Sequence, residues 1–431
     1  MSSLEINLPA LEKYFHYSTL ADMLDFDADD FNKKITLADS SYTPAEYTGN
    51  FPLVKLADVA TFVTERTTLD EIKIADFITT DNMLKDKRGI KPYEDVPQIS
   101  SLVKFSAGDV LVSNIRPYLK KIWLADRAGG CSPDVLVFRS RDEKILRPEY
   151  LFEVLRQDDF FAFAMASAKG LKMPRGDKDK IQTYKLPLPP LDVQKKIVDE
   201  FNALDAKLAA QDDTIKQLDA DIQKKFSSLF GDTEHGYKYP TDSFEKFVYV
   251  RGGDTFKEQY QGSKNSADIP FYKVSDMNSE GNERIMSRAN NYVSEAILLN
   301  EIKATIFETG TIIFPKVGMA IGTNKKRILG RRAAVDNNTM AIWLKNGLLN
   351  NEYLYAFLKF CVDLSKIASS ANPPSISAKN FNRVKIMVPP LELQEEFAAY
   401  VTNCEALKES ARTRREALIR EHDELMTKYF R

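Results

Sequence analysis

The sequence predicts an α+β protein built from one plan used twice. Two mixed α/β domains are each followed by one long helix, and the two helices pack antiparallel as a coiled coil between them. Three observations carry this. The segment Lys185-Leu-Pro-Leu-Pro-Pro-Leu-Asp-Val-Gln194 recurs 200 positions later as Lys385-Ile-Met-Val-Pro-Pro-Leu-Glu-Leu-Gln394. Upstream of each copy, short β-branched runs and helical stretches follow in the same order. Downstream of each copy lies an apolar stripe at the 3.5-residue spacing of a coiled coil. The repeat gives the chain an internal pseudo-two-fold.

Residues 1–50 fall outside the repeat: they are acidic, with Asp22, Asp25, Asp27, Asp29 and Asp30 framing Phe26 and Phe31. Residues 51–190 form the first domain. Its strands are read at Gly108-Asp109-Val110-Leu111-Val112 and from Val135 to Phe138, and a helix from Tyr150 to Lys169. Pro189 and Pro190 hold the entering chain extended and exclude helix upstream, so the first long helix is placed at 191–230 and ends at Gly231. Ile197, Phe201, Leu204, Leu208, Ile215, Leu218, Ile222 and Leu229 form its stripe. At 1.5 Å per residue it would span about 55–60 Å.

The second domain, 231–390, repeats the scheme. Gly310-Thr311-Ile312-Ile313-Phe314 answers the first strand, Met340 to Leu344 the second, and a helix is read from Tyr353 to Ser369. Residues 391–431 form the second long helix, with Phe397, Tyr400, Cys404, Leu407, Ala411, Leu418 and Leu425 on its stripe. The offset sets Lys408 against Leu208, so the two helices are not strictly equivalent.

Composition narrows the function classes. At 431 residues, 43% hydrophobic and 28% charged, the chain is a folded protein of two or three domains rather than a disordered one. Cys131, Cys361 and Cys404 lie far apart and the three histidines, His16, His235 and His422, do not pair with them, which excludes a disulfide framework and a zinc site. No basic start leads into an apolar stretch and no apolar run is long enough for a bilayer, so the expected location is cytoplasmic, with no membrane partner. The net charge of −2 argues against a nucleic-acid binder only as a total. By segment it is −6 over 1–50, +3 over 51–190, −2 over 191–230, +5 over 231–390 and −2 over 391–431. Phosphate contact needs local cations, and only the two domains have an excess of them.

Two α/β units closed by Pro-Pro-Leu-x-x-Gln and a long helix resemble the specificity subunit of Type I restriction-modification systems. The resemblance covers most of 51–431 and rests on Leu186-Pro187-Leu188-Pro189-Pro190-Leu191-Asp192-Val193-Gln194, on Gly108-Asp109-Val110-Leu111-Val112-Ser113-Asn114-Ile115-Arg116-Pro117, and on Pro374-Ser375-Ile376-Ser377 ahead of Val388-Pro389-Pro390-Leu391. It implies a non-catalytic reader in which two target recognition domains, separated by the helices, each read half of a bipartite site in double-stranded DNA. It also implies that the helices dock two modification (methyltransferase) subunits, with restriction (motor-nuclease) subunits outside them. S-adenosylmethionine, ATP and magnesium are then expected on those partners, and no cofactor or metal on this chain. A stiff spacer suits such a task, because its length converts into base pairs between the half-sites.

The candidate DNA contacts are basic, amide and hydroxyl side chains clustered in the two readers, some of the clusters interleaved with glycines. In the first reader they are Lys85, Lys87, Arg88, Lys91 and Tyr93, then Arg116, Tyr118 and Lys120 after a strand, then Lys172, Arg175 and Lys178. In the second they are Lys316, Asn324, Lys325, Lys326, Arg327, Arg331 and Arg332, then Asn372, Ser375, Ser377 and Lys379. The rival reading is a DNA adenine methyltransferase or nuclease with fused recognition domains. Asn372-Pro373-Pro374-Ser375 resembles the Asn-Pro-Pro-aromatic loop of amino methyltransferases, but its fourth residue is a serine and no glycine-rich cofactor turn accompanies it. Pro133-Asp134 with Asp142-Glu143-Lys144 can be set against a nuclease magnesium pair, but the second repeat lacks the lysine. A protein-binding coiled-coil adaptor without a DNA role is the third reading.

Overall fold

The computed structural model describes residues 47–93, 101–170, 173–263, 265–345 and 347–431. Most of the acidic leader and the candidate Lys172 lie outside the described residues. The chain divides into two compact units: one runs to Ala209 and takes in Glu416–Arg431, and the other is Ala210–Arg415. Each unit therefore holds one globular domain and a stretch of both long helices.

In the first unit an antiparallel sheet has the strand order Ala60–Phe62, Val135–Ser140, Val110–Ser113, Ile122–Leu124. A second sheet runs Arg66–Thr67, Leu102–Phe105, Gly129–Cys131, Phe77–Ile78, its last pair parallel. Val110, Leu111 and Val112 are all buried because this strand is covered on both faces. Val110, Val112, Leu136 and Phe138 turn towards the helices Pro148–Leu155 and Asp158–Ala166. Leu111, Val135 and Val137 point the other way, onto Phe105 and Trp123.

The second unit repeats this. Its five-stranded sheet has the order Val248–Gly252, Thr339–Leu344, Ile312–Pro315, Arg327–Leu329, Ile285–Met286, and a three-stranded sheet runs Tyr292–Val293, Ile269–Tyr272, Ala334–Val335. Ile312, Phe314, Met340 and Ile342 face the helix Asn351–Cys361, while Ile313 and Ala341 join the opposite core with Phe307 and Leu329.

The motif before each long helix has a structural task. Lys185–Pro187 pairs antiparallel with Leu53–Lys55, and Lys385–Met387 with Thr241–Ser243. The buried Tyr150 hydroxyl donates to the Pro187 carbonyl at 2.9 Å, and Tyr353 donates to Met387 at 2.8 Å. The helices that follow, Leu191–Phe230 and Leu391–Phe430, are 40 residues each. In each unit their stretches run antiparallel. In the first, Phe201 stacks on Phe430, and the Tyr429 hydroxyl donates to Glu200. In the second, Arg415 pairs with Asp212, Lys408 with Asp219 and Lys225 with Glu396.

Three expectations are corrected. The helix read from Tyr150 to Lys169 is two helices, because Gln157 is extended and Asp158 and Asp159 start a new first turn. The helix read to Ser369 stops at Cys361, and Asp363 then caps a 3-10 turn at Leu364–Lys366 through the Ser365 amide. On the second long helix Leu407 is 50% exposed, whereas Lys408 is 4% exposed and sits between Asp219 and Glu405. The buried face thus steps from Cys404 to Lys408 to Ala411. Among the described residues, no helix is long and apolar enough to cross a membrane.

Candidate nucleic-acid interface

In both units, the loop leaving the central strand is joined by backbone hydrogen bonds to the loop that precedes the Pro-Pro-Leu motif. In the first unit Arg116 N donates to Pro174 O at 2.7 Å, Ile115 bridges Arg175, and Lys169 N donates to Arg175 O at 2.8 Å. In the second unit Gly318 N donates to Pro374 O at 2.8 Å, Val317 bridges Ser375, and Ser369 N donates to Ser375 O at 2.8 Å. The two loop pairs are the same device at nearly the same offset. Each brings together stretches that lie far apart in sequence and carry candidate residues.

The first unit adds a third stretch. Asp86 N donates to Leu119 O and Lys87 N to Lys120 O, so the 84–89 turn is laced onto the strand-end loop. Asp86, Lys87, Arg116 and Lys120 all have left-handed backbone, with φ of 57°, 62°, 52° and 50°. Such backbone costs on the order of 1 kcal/mol per residue and gathers at functional sites. The charges are arranged too. Asp158, in the first turn of its helix, binds Lys87 at 2.6 Å and Lys120 at 2.8 Å. Partial burial works against the Asp158 carboxylate, but the two lysines outweigh it and hold its pKa below the usual value. Arg175 pairs with Asp134 at 3.1 Å, which gives Asp134 a partner other than a metal. The Arg116 Nε is buried without a hydrogen-bond partner among the described residues, and the Tyr118 side chain is 51% exposed.

In the second unit Lys316, Asn324, Lys325 and Ser375 belong to the loop pair. Asn324 is left-handed, with φ 52°, and its Oδ1 accepts from Leu364 N and from Lys326 Nζ. The Lys325 ammonium contacts Asn278. Lys326 is a correction: it is 3% exposed, and its ammonium is turned inward to Asn324 Oδ1 at 2.7 Å and Val362 O at 2.6 Å. Burial pushes its pKa down to about 7. Arg327 is half-buried and committed to the carbonyls of Lys326 and Met277.

Other candidates stand apart from the loop pairs. Arg331 donates to the carbonyls of Ser266 and Asp268, and Arg332 pairs with Glu295 and Glu308. Tyr93 packs edge-on against Phe77 at 4.8 Å. Arg88 reaches back to Lys85 O, and Lys85 and Lys91 are exposed. Lys178 and Lys379 are exposed on short helices capped by Asp177 and Ser377, and Asn372 is exposed at the second loop.

The sequence reading passed over Met319, which stands 88% exposed at the tip of the second strand-end loop. Its only sequence signal is its place between Gly318 and Gly322. It also passed over a buried charge cluster on the helical side of the first unit. There Arg156 donates to Glu153 and Asp205, and its Nη2 lies 3.1 Å from His422 Nε2. Arginine can only donate, so the His422 ring accepts there and carries its proton on Nδ1. Burial, then the charge of Arg156, push the His422 pKa down to about 4.

Comparison with known proteins bears on both halves. The description Type I restriction modification DNA specificity domain matches residues 50–220 and again 243–420. The Type I restriction enzyme MjaVIII specificity subunit of Methanocaldococcus jannaschii is 22% identical over 355 residues, which are 76% of this chain and 81% of that one. A chain from a solved structure on complex assembly and conformational transition of the type I R-M system superposes with a TM-score of 0.53 at 19% identity, covering 90% of this chain and 99% of that one. A Type-I restriction-modification S subunit from M. genitalium gives 0.53 at 14% identity, with the same coverage. At these identities the two structures are evidence of a shared fold.

Proposed function

Because the chain belongs to the family of Type I restriction modification DNA specificity domains and carries that domain twice, we propose that each globular domain reads one half of a bipartite site in double-stranded DNA through its loop pair. The role is non-catalytic recognition of DNA sequence. The observation that carries the loop assignment is the repeated hydrogen bond, Arg116 N to Pro174 O and Gly318 N to Pro374 O, which builds the same two-loop edge in both domains. Lys87, Arg116, Lys120 and Arg175 would hold phosphates beside the first edge, and Lys316 and Lys325 beside the second. Lys326 is left out of this set because its ammonium is internal.

The long helices would dock two modification subunits, with motor-nuclease subunits beyond them, and the complex would act in the cytoplasm. Methyl transfer, ATP hydrolysis and magnesium chemistry would then belong to the partners. The test of the loop assignment is the double charge reversal Lys316→Glu and Lys325→Glu, measured as duplex binding across a salt series. Each lost phosphate contact should make the slope of log K against log salt shallower by about 0.9. An unchanged slope would remove the second loop pair from the interface. Native mass spectrometry of the chain mixed with the separately purified methyltransferase of its genomic neighbour tests the docking, and absence of a complex refutes it.

A further inference from the structure

The turn that displays Met319 is fixed from beneath. Gly318–Thr323 is a 3-10 turn in which Ile321 is 2% exposed and joins the main core of the second unit. Asn324 closes the turn through its amide to Ile321 O at 3.0 Å, and its side chain ties it to Leu364. On the outside, Gly318 has φ +73°, and a Cβ at Gly318 or Gly322 would meet nothing within 4 Å. The turn thus holds its inner side rigidly and leaves Met319 standing free, with Lys316 and Lys325 on either side in sequence.

A lone exposed hydrophobic side chain is ordinary. This one has a counterpart. The corresponding turn of the first unit, Pro117–Leu119, presents Tyr118 between the left-handed Arg116 and Lys120. In both units an exposed hydrophobic side chain stands on this turn, Tyr118 and Met319, with cations beside it in sequence. A DNA groove offers the complementary pattern, with phosphates along its rims and the thymine C5-methyl as the apolar group on the major-groove floor.

We propose that Met319 is a specificity-determining contact, an apolar side chain that reads a thymine methyl group within the half-site of the second domain. This rests on the DNA-reading function proposed above. Tyr118 holds the same station in the first domain. Neither residue supplies charge, so removing Met319 changes discrimination between bases and leaves the electrostatic part of binding intact.

The test uses the full chain with its co-purified subunits and a duplex carrying the site mapped from methylation of host DNA. Each thymine of the half-site is replaced in turn by deoxyuridine, which removes only the methyl group. One replacement should weaken wild-type binding about threefold to fivefold, as expected for one buried carbon. Met319→Ala should bind the thymine and deoxyuridine duplexes equally, with the salt slope of the wild type, and Met319→Leu should restore part of the preference. A wild-type chain indifferent to every replacement, a half-site without thymine on either strand, or an alanine variant that keeps the preference would each overturn the proposal. A wild-type chain that does not distinguish the mapped duplex from a scrambled one would instead overturn the DNA-reading function itself.

Discussion

Gln194 and Gln394 stand 200 positions apart and make the same three hydrogen bonds. The Gln194 Nε2 donates to Pro189 O and Ile145 O, both at 2.8 Å, and its Oε1 accepts from Arg147 N at 2.9 Å. The Gln394 Nε2 donates to Pro389 O at 2.8 Å and Leu348 O at 3.2 Å, and its Oε1 accepts from Asn350 N at 2.8 Å. Both side chains are fully buried. The prolines hold the chain extended into the helix, and the glutamine one turn later ties that entry to the start of the packing helix in the globular domain. A primary amide is suited to this because it offers two donors and an acceptor in one plane.

Gln194→Ala and Gln394→Ala are each expected to destabilise the protein by about 2–3 kcal/mol, since each strands buried backbone groups. Glutamate should do no better, because a carboxylate would face two carbonyl oxygens. The two sites belong to different units and share no partners, so their effects should add. Urea unfolding of the single and double variants checks this, and a Gln194→Glu variant as stable as the wild type would contradict the clamp.

Lys326 gives a pH signature. Its pKa is about 7 in the folded chain against an ordinary 10.5, with burial as the cause and Asp363 opposing it. Between these values the unfolded chain binds the proton and the folded chain does not, so this group makes stability rise with pH from about 7 to about 10.5. The slope is at most about 1.4 kcal/mol per pH unit. Lys326→Met should abolish that rise in a stability series over this range while leaving duplex affinity and its salt slope unchanged. A loss of DNA binding in this variant would return Lys326 to the interface.

The repeat, the α+β class and the antiparallel helices were legible in the sequence for a local reason. Pro-Pro-Leu-x-x-Gln is an identity signal at fixed offset, and stripes such as Ile197, Phe201 and Leu204 declare a helix by spacing alone. What was not legible depends on distant partners. Lys408 replaces Leu407 on the buried face because Asp219 lies opposite to receive it. Lys325 and Lys326 are adjacent and alike in sequence, yet one is displayed and the other is swallowed by the carbonyl of Val362. The basic stretches were found by composition, but the lacing that assembles them is made by backbone amides, which carry no sequence signature.

Arg156 should behave as the keystone of a buried charge cluster. Its side chain and that of Glu153 are almost wholly buried, and it also holds Asp205. Arg156→Met leaves a buried carboxylate without its cation and is expected to cost about 3–5 kcal/mol. Adding Glu153→Leu should recover much of that. The single variant should also raise the His422 pKa from about 4 towards its ordinary value, because the Arg156 charge is removed while burial and Lys87 still depress it. NMR titration of the His422 ring reads this directly, and an unmoved pKa would show that the Arg156 charge does not set it.

Asp158 masks two of the cations assigned to DNA, and the consequence runs opposite to the usual loss of function. It engages Lys87 and Lys120 together, so in the free chain these ammonium groups are partly neutralised where the loops meet. DNA binding would have to compete with that pairing. Asp158→Asn keeps a polar side chain of nearly the same shape in the first turn of its helix but removes the charge. Duplex affinity should therefore rise at low salt, and the salt dependence should steepen by up to about 0.9 for each lysine released. The gain should appear equally on specific and unrelated duplexes, because phosphate contacts carry no sequence information. Combining Asp158→Asn with Lys87→Ala and Lys120→Ala should erase it. If Asp158→Asn leaves both affinity and slope unchanged, the first unit's lysines do not face the duplex, and the interface there must be sought elsewhere on the domain.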